Sequence, residues 1–266
     1  MRSSVSPAPA RFTDLGIRIA GVCTVLAVFE LTARTGLLPR AWFPPISEMY
    51  LELGKLAFGW PLWVEIGRTL SGWALGIGLA AVLAIPLGIA LGTNNLAYRL
   101  SKAVIEFLRP VPSVALIPLA VLVYGTGLEM KTFLIAFATF WPILLQTIYG
   151  VQGVDPVAMD TARCYGLPQS ARFTQIIAPS AAPFIATGLR IASAIALVLA
   201  ITAELVVGAP GLGQAIIVAQ SGANATRMYA LIIVAGLLGW ALNSCFQFVE
   251  RRLLRWHPAQ RGEEGR

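Results

Sequence analysis

Four stretches of 18 to 23 residues contain no Asp, Glu, Lys or Arg, and these stretches limit the fold more than any other feature. They cover 73–91, 111–128, 132–154 and 228–249. A helix needs about 20 apolar residues to cross the hydrocarbon core of a bilayer, so each stretch is about long enough. The whole chain is 57% hydrophobic and 12% charged, with a mean hydropathy of +0.73, which excludes a soluble domain of 266 residues. The sequence therefore predicts an integral membrane protein.

Two further apolar stretches carry two charges each. The first covers 15–33 and contains Arg18 and Glu30, and the second covers 183–206 and contains Arg190 and Glu204. The strict alternation of apolar and polar residues that a membrane barrel requires is absent from all these stretches. We therefore predict an all-α integral membrane protein with six transmembrane helices. Its predicted divisions are an N-terminal tail at 1–14, a membrane domain at 15–249 and a basic tail at 250–266.

The distribution of Lys and Arg predicts the orientation of the chain. With a cytoplasmic N-terminus, eleven of the 20 basic residues fall in cytoplasmic segments and five fall in segments on the opposite side. Those five are Arg34, Arg40, Lys55, Lys131 and Arg227. The positive-inside rule thus predicts that both termini and the 150–182 segment are cytoplasmic. The net charge of +7 needs no nucleic-acid partner, because a basic tail beside a membrane would bind anionic headgroups.

The residue types of a membrane enzyme are scarce in this sequence. The single histidine is His257, in the C-terminal tail, which excludes a histidine-based metal site inside the bilayer. Cys23, Cys164 and Cys245 are far apart in sequence and form no C-x2-C pair. None of the three lysines ends a G-x4-G-K-[ST] loop, the motif that binds nucleotide phosphates. We expect no catalytic residue, metal or cofactor in this chain. If ATP drives the protein, another chain must bind it.

The segment 155–180 predicts a polar-faced helix, a turn and a second helix between two apolar stretches. Gly166 suits the left-handed turn that ends a helix, whereas most other residues adopt this conformation only at a cost. Small residues at Thr161 and Ala162 would allow the first helix to lie close against a partner. Because this 155–180 loop lies on the basic side, we interpret it as a contact for a soluble partner. An ordinary helical hairpin is the alternative.

The spacing in the 155–180 loop resembles the EAA loop, E-A-A-x3-G-x9-I-x-L-P, through which permease subunits of ATP-binding-cassette (ABC) importers contact their ATPase. Gly166, Ile176 and Pro179 occupy its fixed positions, and Ala162 occupies that of the second alanine. Asp160 stands in place of the glutamate, Thr161 in place of the first alanine and Ala178 in place of the leucine.

Shorter matches extend the resemblance over 43–256, to the nitrate, sulfonate and taurine branch of binding-protein-dependent permeases. They are Phe43-Pro44-Pro45-Ile46-Ser47, Arg68-Thr69-Leu70, Leu108-Arg109-Pro110-Val111-Pro112, Tyr124-Gly125-Thr126-Gly127 with Lys131, Gly188-Leu189-Arg190, Ala203-Glu204 and Gly211-Leu212-Gly213.

The resemblance implies a type I ABC importer permease in a bacterial inner membrane, paired with a second copy or a homologue, a homodimer being expected. Its implied partners are two ABC ATPase subunits, which hold ATP and Mg, and a periplasmic or lipid-anchored substrate-binding protein. The transported solute would be small and anionic. The implied ATPase-docking residues are Asp160, Thr161, Ala162, Gly166, Ile176 and Pro179, and the transport mechanism would be alternating access.

Buried charges are the candidates for a pathway or gate, because one charge in hydrocarbon costs about 3 kcal/mol on insertion scales. The candidates are Arg109, Arg190 and Glu204. Arg190 and Glu204 are fourteen residues apart, or about 21 Å along a helix, so they cannot pair with each other. For Arg109 and Arg190 we favour an interfacial or structural role over contact with solute, and for Glu204 a structural role near the outer gate.

The glycines of the second span, Gly76, Gly88 and Gly92, predict close helix packing, and Pro112 and Pro118 predict a bent third span. An ion-coupled secondary transporter is the alternative function. It would require a cluster of intramembrane acids or an inverted repeat, and neither is visible in the sequence. A purely structural membrane subunit would leave the 155–180 loop without a purpose.

Overall fold

The computed structural model describes residues 11–253, which form helices and short connections. Most of the predicted N-terminal tail, most of the predicted C-terminal tail and His257 lie outside the described residues. The helices are α1 (Arg11–Arg34), α2 (Ile46–Ala57), α3 (Trp60–Thr93), α4 (Asn95–Leu108), α5 (Ile117–Tyr124), α6 (Leu128–Gln152), α7 (Pro156–Cys164), α8 (Gln169–Arg172), α9 (Ala178–Val207), α10 (Leu212–Ser221) and α11 (Ala225–Leu253). The prediction of an all-α fold is confirmed.

Within residues 11–253, four helical units are long and apolar enough to cross a membrane. They are α3, α6, α11 and the continuous unit at 169–207 that ends in α9. A bent pair, α4 with the helical segment Ser113–Tyr124, makes a fifth if it is counted as one span. Length and composition therefore support four or five of the six predicted spans. The first predicted span, 15–33, lies inside α1, which is not among these units.

The prediction of one helix at 111–128 is wrong, although the prolines predict the bend correctly. A 3-10 turn at Ser113–Leu116 precedes α5 and is continuous with it. The bend lies before this turn, at 109–112, where the axes of α4 and of the segment Ser113–Tyr124 differ in direction by 77°. Pro112 precedes the turn, and Pro118 lies in the first turn of α5, where a missing N–H breaks no helical hydrogen bond.

A row of small residues brings α3 close to α6. Gly72, Gly76, Ala80, Ala84 and Gly88 are each four residues apart, so they form one stripe, and all five are buried. A Cβ added at Gly88 would come within 2.6 Å of the Thr147 Cβ, and one added at Gly76 would collide with Ile135. The predicted close packing is confirmed, whereas bulky residues of α3 outside the stripe, such as Val82 and Leu83, are exposed.

The main core lies between α3, α6 and α9, and it contains fully buried side chains such as Leu134, Ile143 and Ile148. A second core joins α10 and α11 to α2 and the start of α3. At one end of this bundle, here called the loop end, α3 and α6 finish near the 155–180 loop. The opposite end, where α6 begins and α9 finishes, is called the far end.

Candidate functional site

The loop helix α7 has a well-defined beginning and end. The Asp155 carboxylate accepts a hydrogen bond of 2.9 Å from the Val157 N–H and so caps the helix, and Pro156 occupies its first turn. At the other end the Leu167 N–H donates to the Ala162 carbonyl, and the Gly166 N–H donates to the Arg163 carbonyl, both at 3.0 Å. This pair of bonds is a Schellman cap, and Gly166 has the required left-handed backbone, with φ of +71°. The prediction of a left-handed turn at Gly166 is confirmed.

The two small residues of α7 lie on different faces. Thr161 is exposed, and its hydroxyl donates to the Val157 carbonyl, whereas Ala162 is only 4% exposed. The small side chain of Ala162 therefore serves packing within this chain, not a surface contact as its sequence position suggests. Large apolar groups on the exposed face are Val157 and Tyr165, which are 71% and 81% exposed. Neither belongs to the predicted docking set, because a single apolar residue in a short polar helix gives no distinctive signal.

The loop continues into a membrane helix without a break. The helical unit at 169–207 is 39 residues long and contains α8, a π-helical turn at Phe173–Ile177 and α9. Ile176 lies in the π-helical turn, and Pro179 lies in the first turn of α9. In this turn the Ala178 N–H donates to the Phe173 carbonyl, five residues earlier. A displacement of α8 would therefore be transmitted along a continuous helix.

A groove of about 1020 Å³ separates α7 and α8 from the loop ends of α3 and α6. Its polar lining includes Thr93, Gln152, Asp160, Arg163 and Arg172. Asp160 and Arg163 form an ion pair of 2.9 Å, and their side chains are 70% and 62% exposed. The loop end thus presents charged, accessible side chains.

The three predicted pathway residues do not form one site. Arg109 is exposed at the end of α4, before the bend. The Arg190 guanidinium lies 3.3 Å from the Glu250 carboxylate and joins α9 to α11. Glu204 is fully buried near the end of α9.

The partner of Glu204 is Lys131, a lysine for which the sequence predicts a place in an outer segment. Lys131 is instead 2% exposed and lies three residues after the start of α6. Its Nζ donates to the Glu204 carboxylate at 2.9 Å, and the Thr69 hydroxyl donates to the same carboxylate at 2.9 Å. We call Thr69, Lys131 and Glu204 the far-end cluster. Its one sequence signal is a buried acid without a partner on its own helix, combined with a lysine at the edge of another apolar stretch.

The fold and the exposed loop agree with the comparison to known protein families. The model of the family described as binding-protein-dependent transport system inner membrane component matches residues 84–256, well over half of the chain. The chain belongs to this family. The match covers the 155–180 loop and the membrane helices on both sides of it.

Two relatives of this permease carry names that describe a solute. The aliphatic sulfonates transport permease protein of Escherichia coli is 31% identical over 235 residues, which are 88% of this chain and 89% of that protein. The taurine transport system permease protein of Escherichia coli is 28% identical over 246 residues, covering 91% of this chain and 90% of that protein.

The fold of this permease is also similar to a chain in the inward-facing structure of the MetNI methionine ABC transporter. The TM-score is 0.63 at 21% sequence identity, and the match covers 75% of this chain and 97% of the other. The predicted type I ABC importer permease fold is confirmed, and the protein is a multi-pass integral membrane protein.

Proposed function

We propose that this chain is the membrane subunit of an ATP-driven importer for a small anionic solute of the sulfonate, taurine or nitrate type. The names of the sulfonate and taurine permeases support the solute class. The description of the family as an inner membrane component supports a bacterial inner-membrane location. The basic residues of the sequence support an orientation with both termini and the 155–180 loop in the cytoplasm. The far end then faces outward, towards a periplasmic or lipid-anchored binding protein.

The observation that carries this proposal is the accessible loop helix connected to a membrane helix of the core. A separate ABC ATPase subunit, which holds ATP and Mg, would bind the exposed face of α7 through Asp160, Thr161, Val157 and Tyr165. Gly166 sets the exit of the chain from α7, while Ala162, Ile176 and Pro179 fix the loop to its own subunit and to α9. Movement of the ATPase would thus reorient α9.

Transport would then proceed by rigid-body movement of this permease against a second copy. ATPase closure would stabilise one arrangement of the two copies and ATPase opening the other, so the cavity between them would face each side in turn. Arg109, Arg190 and Glu204 remain candidate gate residues of this movement. Arg109 lies beside the bent connection before α5, where the helix direction changes.

The coupling role of the loop is tested by changing Gly166. Gly166→Val or Gly166→Glu should leave the permease inserted but abolish uptake, because a side chain at φ of +71° costs roughly 1–3 kcal/mol and displaces the end of α7. Gly166→Asn is the matched control, since Asn tolerates left-handed backbone, and it should retain uptake. Ala178→Leu, which restores the usual residue of the EAA loop, should also be tolerated. Full binding-protein-dependent uptake and normal ATPase retention in Gly166→Glu would contradict the coupling role.

The orientation is tested by single cysteines at Ser170 and Gly59, after Cys23, Cys164 and Cys245 have been replaced. A membrane-impermeant thiol reagent should label the Gly59→Cys protein in intact cells and the Ser170→Cys protein only after lysis. Both native residues lie in accessible regions, so a difference in labelling reports the side of the membrane. Labelling of Ser170→Cys in intact cells would reverse the topology and remove the docking proposal.

A further inference from the structure

The far-end cluster binds an irregular turn as well as pairing two charges. The turn is defined here as residues 208–213: the connection 208–211 between α9 and α10, and the first two residues of α10. Two of its glycines, Gly208 and Gly211, have positive φ. Lys131 Nζ donates to the Pro210 carbonyl at 2.9 Å, and the Leu212 N–H donates to the Thr69 hydroxyl at 2.9 Å. The Gly213 N–H donates to the Glu204 carboxylate at 3.0 Å. Three backbone groups of the turn therefore depend on the far-end cluster.

The cluster is fully bonded, which explains how charged groups can remain buried there. Lys131 uses its three N–H groups on Glu204, on the Pro210 carbonyl and on the Arg68 carbonyl at 3.0 Å. Each oxygen of the Glu204 carboxylate lies within hydrogen-bond distance of the Thr69 hydroxyl and of one further donor. A buried pair with all its hydrogen bonds satisfied avoids the penalty of an uncompensated charge.

Glycine is required where the turn lies over the carboxylate. A Cβ at Gly211 would overlap the Glu204 carboxylate, and a Cβ at Gly213 would lie 2.6 Å from the Glu204 Cβ. The absence of side chains at Gly211 and Gly213 therefore leaves room for the buried side chain of Glu204. Leu212 between the glycines is fully buried in the second core, which anchors α10.

The geometry points to Thr69, Lys131 and Glu204 as positioning residues for the turn and for α10. Irregular backbone buried inside a protein needs hydrogen-bond partners from the protein, and this cluster supplies them. Apolar residues of equal volume could fill the space of an ion pair, often without loss of stability, but they could not bond the turn. The cluster thus makes α10 move as one body with α3, α6 and α9. Only the choice of transport as a measurement rests on the proposed function.

A double variant separates positioning from plain stabilisation. Lys131→Met with Glu204→Leu removes both charges, and Ala209→Cys reports the turn, since Ala209 is fully buried. The variants are made without the native cysteines and measured in membranes containing the complete transporter. The double variant should insert normally, with the labelling rate of Ala209→Cys raised at least about tenfold by local opening and with uptake reduced at least about tenfold. Arg190→Met with Glu250→Leu, which removes an ion pair between α9 and α11, should leave the labelling rate within about twofold of the parent.

A smaller change covers the case in which the double variant does not insert. Thr69→Val removes only the hydroxyl that bonds Glu204 and the Leu212 N–H, and it should raise labelling at Ala209→Cys, whereas Thr69→Ser should restore the parental rate. Unchanged labelling in the double variant, or in Thr69→Val where the double variant is not inserted, would overturn the inference. If uptake by the parental transporter does not depend on ATP, the proposed function is overturned, whereas the labelling result still tests the positioning role.

Discussion

At the loop end, the side chains of Asp155, Thr161 and Asp160 bond groups two to four residues away, whereas at the far end Lys131 and Thr69 bond groups 63 to 143 residues away. The exposure differs in the same sense: the side chains of Asp160 and Arg163 are 70% and 62% exposed, but those of Lys131 and Glu204 are 3% and 0% exposed. Local bonds maintain the shape of α7 and leave its polar side chains accessible. Long-range bonds at the far end join α3, α6 and α9 to the turn at 208–213 inside the subunit.

This contrast predicts opposite consequences for stability and for assembly. Breaking a buried pair leaves an uncompensated charge and costs roughly 3–5 kcal/mol, whereas an exposed pair contributes about 0–1 kcal/mol. Far-end variants should therefore damage the fold of the isolated permease. Loop-end variants should leave that fold unchanged and, under the proposed function, weaken its association with the ATPase.

The largest expected effect is at the far end. Glu204→Ala should destabilise the purified permease by roughly 3–5 kcal/mol, because Lys131 is left buried without its counter-charge. Thermal unfolding followed by size-exclusion chromatography measures the change. The control is Glu250→Ala, which removes the more exposed pair with Arg190 and should cost less. Equal losses in the two variants would show that burial does not distinguish these pairs.

An intermediate effect is expected where the turn crosses Glu204. Gly213→Ala should cost roughly 1–3 kcal/mol, because the added methyl group overpacks a site bounded by the backbone of α9. Gly67→Ala in α3 meets no atom within 4 Å, and it should stabilise the helix by up to about 1 kcal/mol. The same unfolding measurement applies to both. A neutral Gly213→Ala would mean that the turn can move away from Glu204 at little cost.

The smallest effect on stability is expected at the loop end. Asp160→Ala removes an exposed ion pair and should change the unfolding free energy by less than about 1 kcal/mol. Under the proposed function, however, it should reduce co-purification of the ATPase. Asp155→Ala provides a comparison within the loop, because it removes the cap of α7 and should cost about 1 kcal/mol locally. A large loss of stability in Asp160→Ala would remove the distinction between the two ends.

The sequence predicts the loop end better than the far end, for a physical reason. Gly166 acts through backbone conformation and helix-cap spacing, which are local properties, so its left-handed turn is correctly predicted. Lys131 acts through a contact with Glu204 across 73 residues, and only the packing of α3, α6 and α9 brings these side chains together. Composition identifies Glu204 as an unusual buried acid. It cannot identify a partner on another helix, and the boundary position of Lys131 is equally typical of a loop lysine.

The bend after α4 shows the same limit. The apolar stretch at 111–128 has the composition of a span, but the chain divides it into a 3-10 turn, α5 and a connection. Proline chemistry predicts that a bend exists, because a proline lacks the N–H of a continuous helix. The size of the bend, 77°, is not contained in the local pattern, and neither is the packing of Ile117 and Ala120 in the main core.

The position of Lys131 also has a consequence for synthesis of the protein. Glu204 is made 73 residues after Lys131, a delay of roughly 4–15 s at ribosomal rates of about 5–20 residues per second. During that interval the ammonium group has no counter-charge from α9. Because Lys131 lies only three residues from the start of α6, its flexible stem can carry the charge to the water interface until α9 arrives. The same lysine two turns deeper would have to wait in lipid, so its place near the helix end makes the order of insertion tolerable.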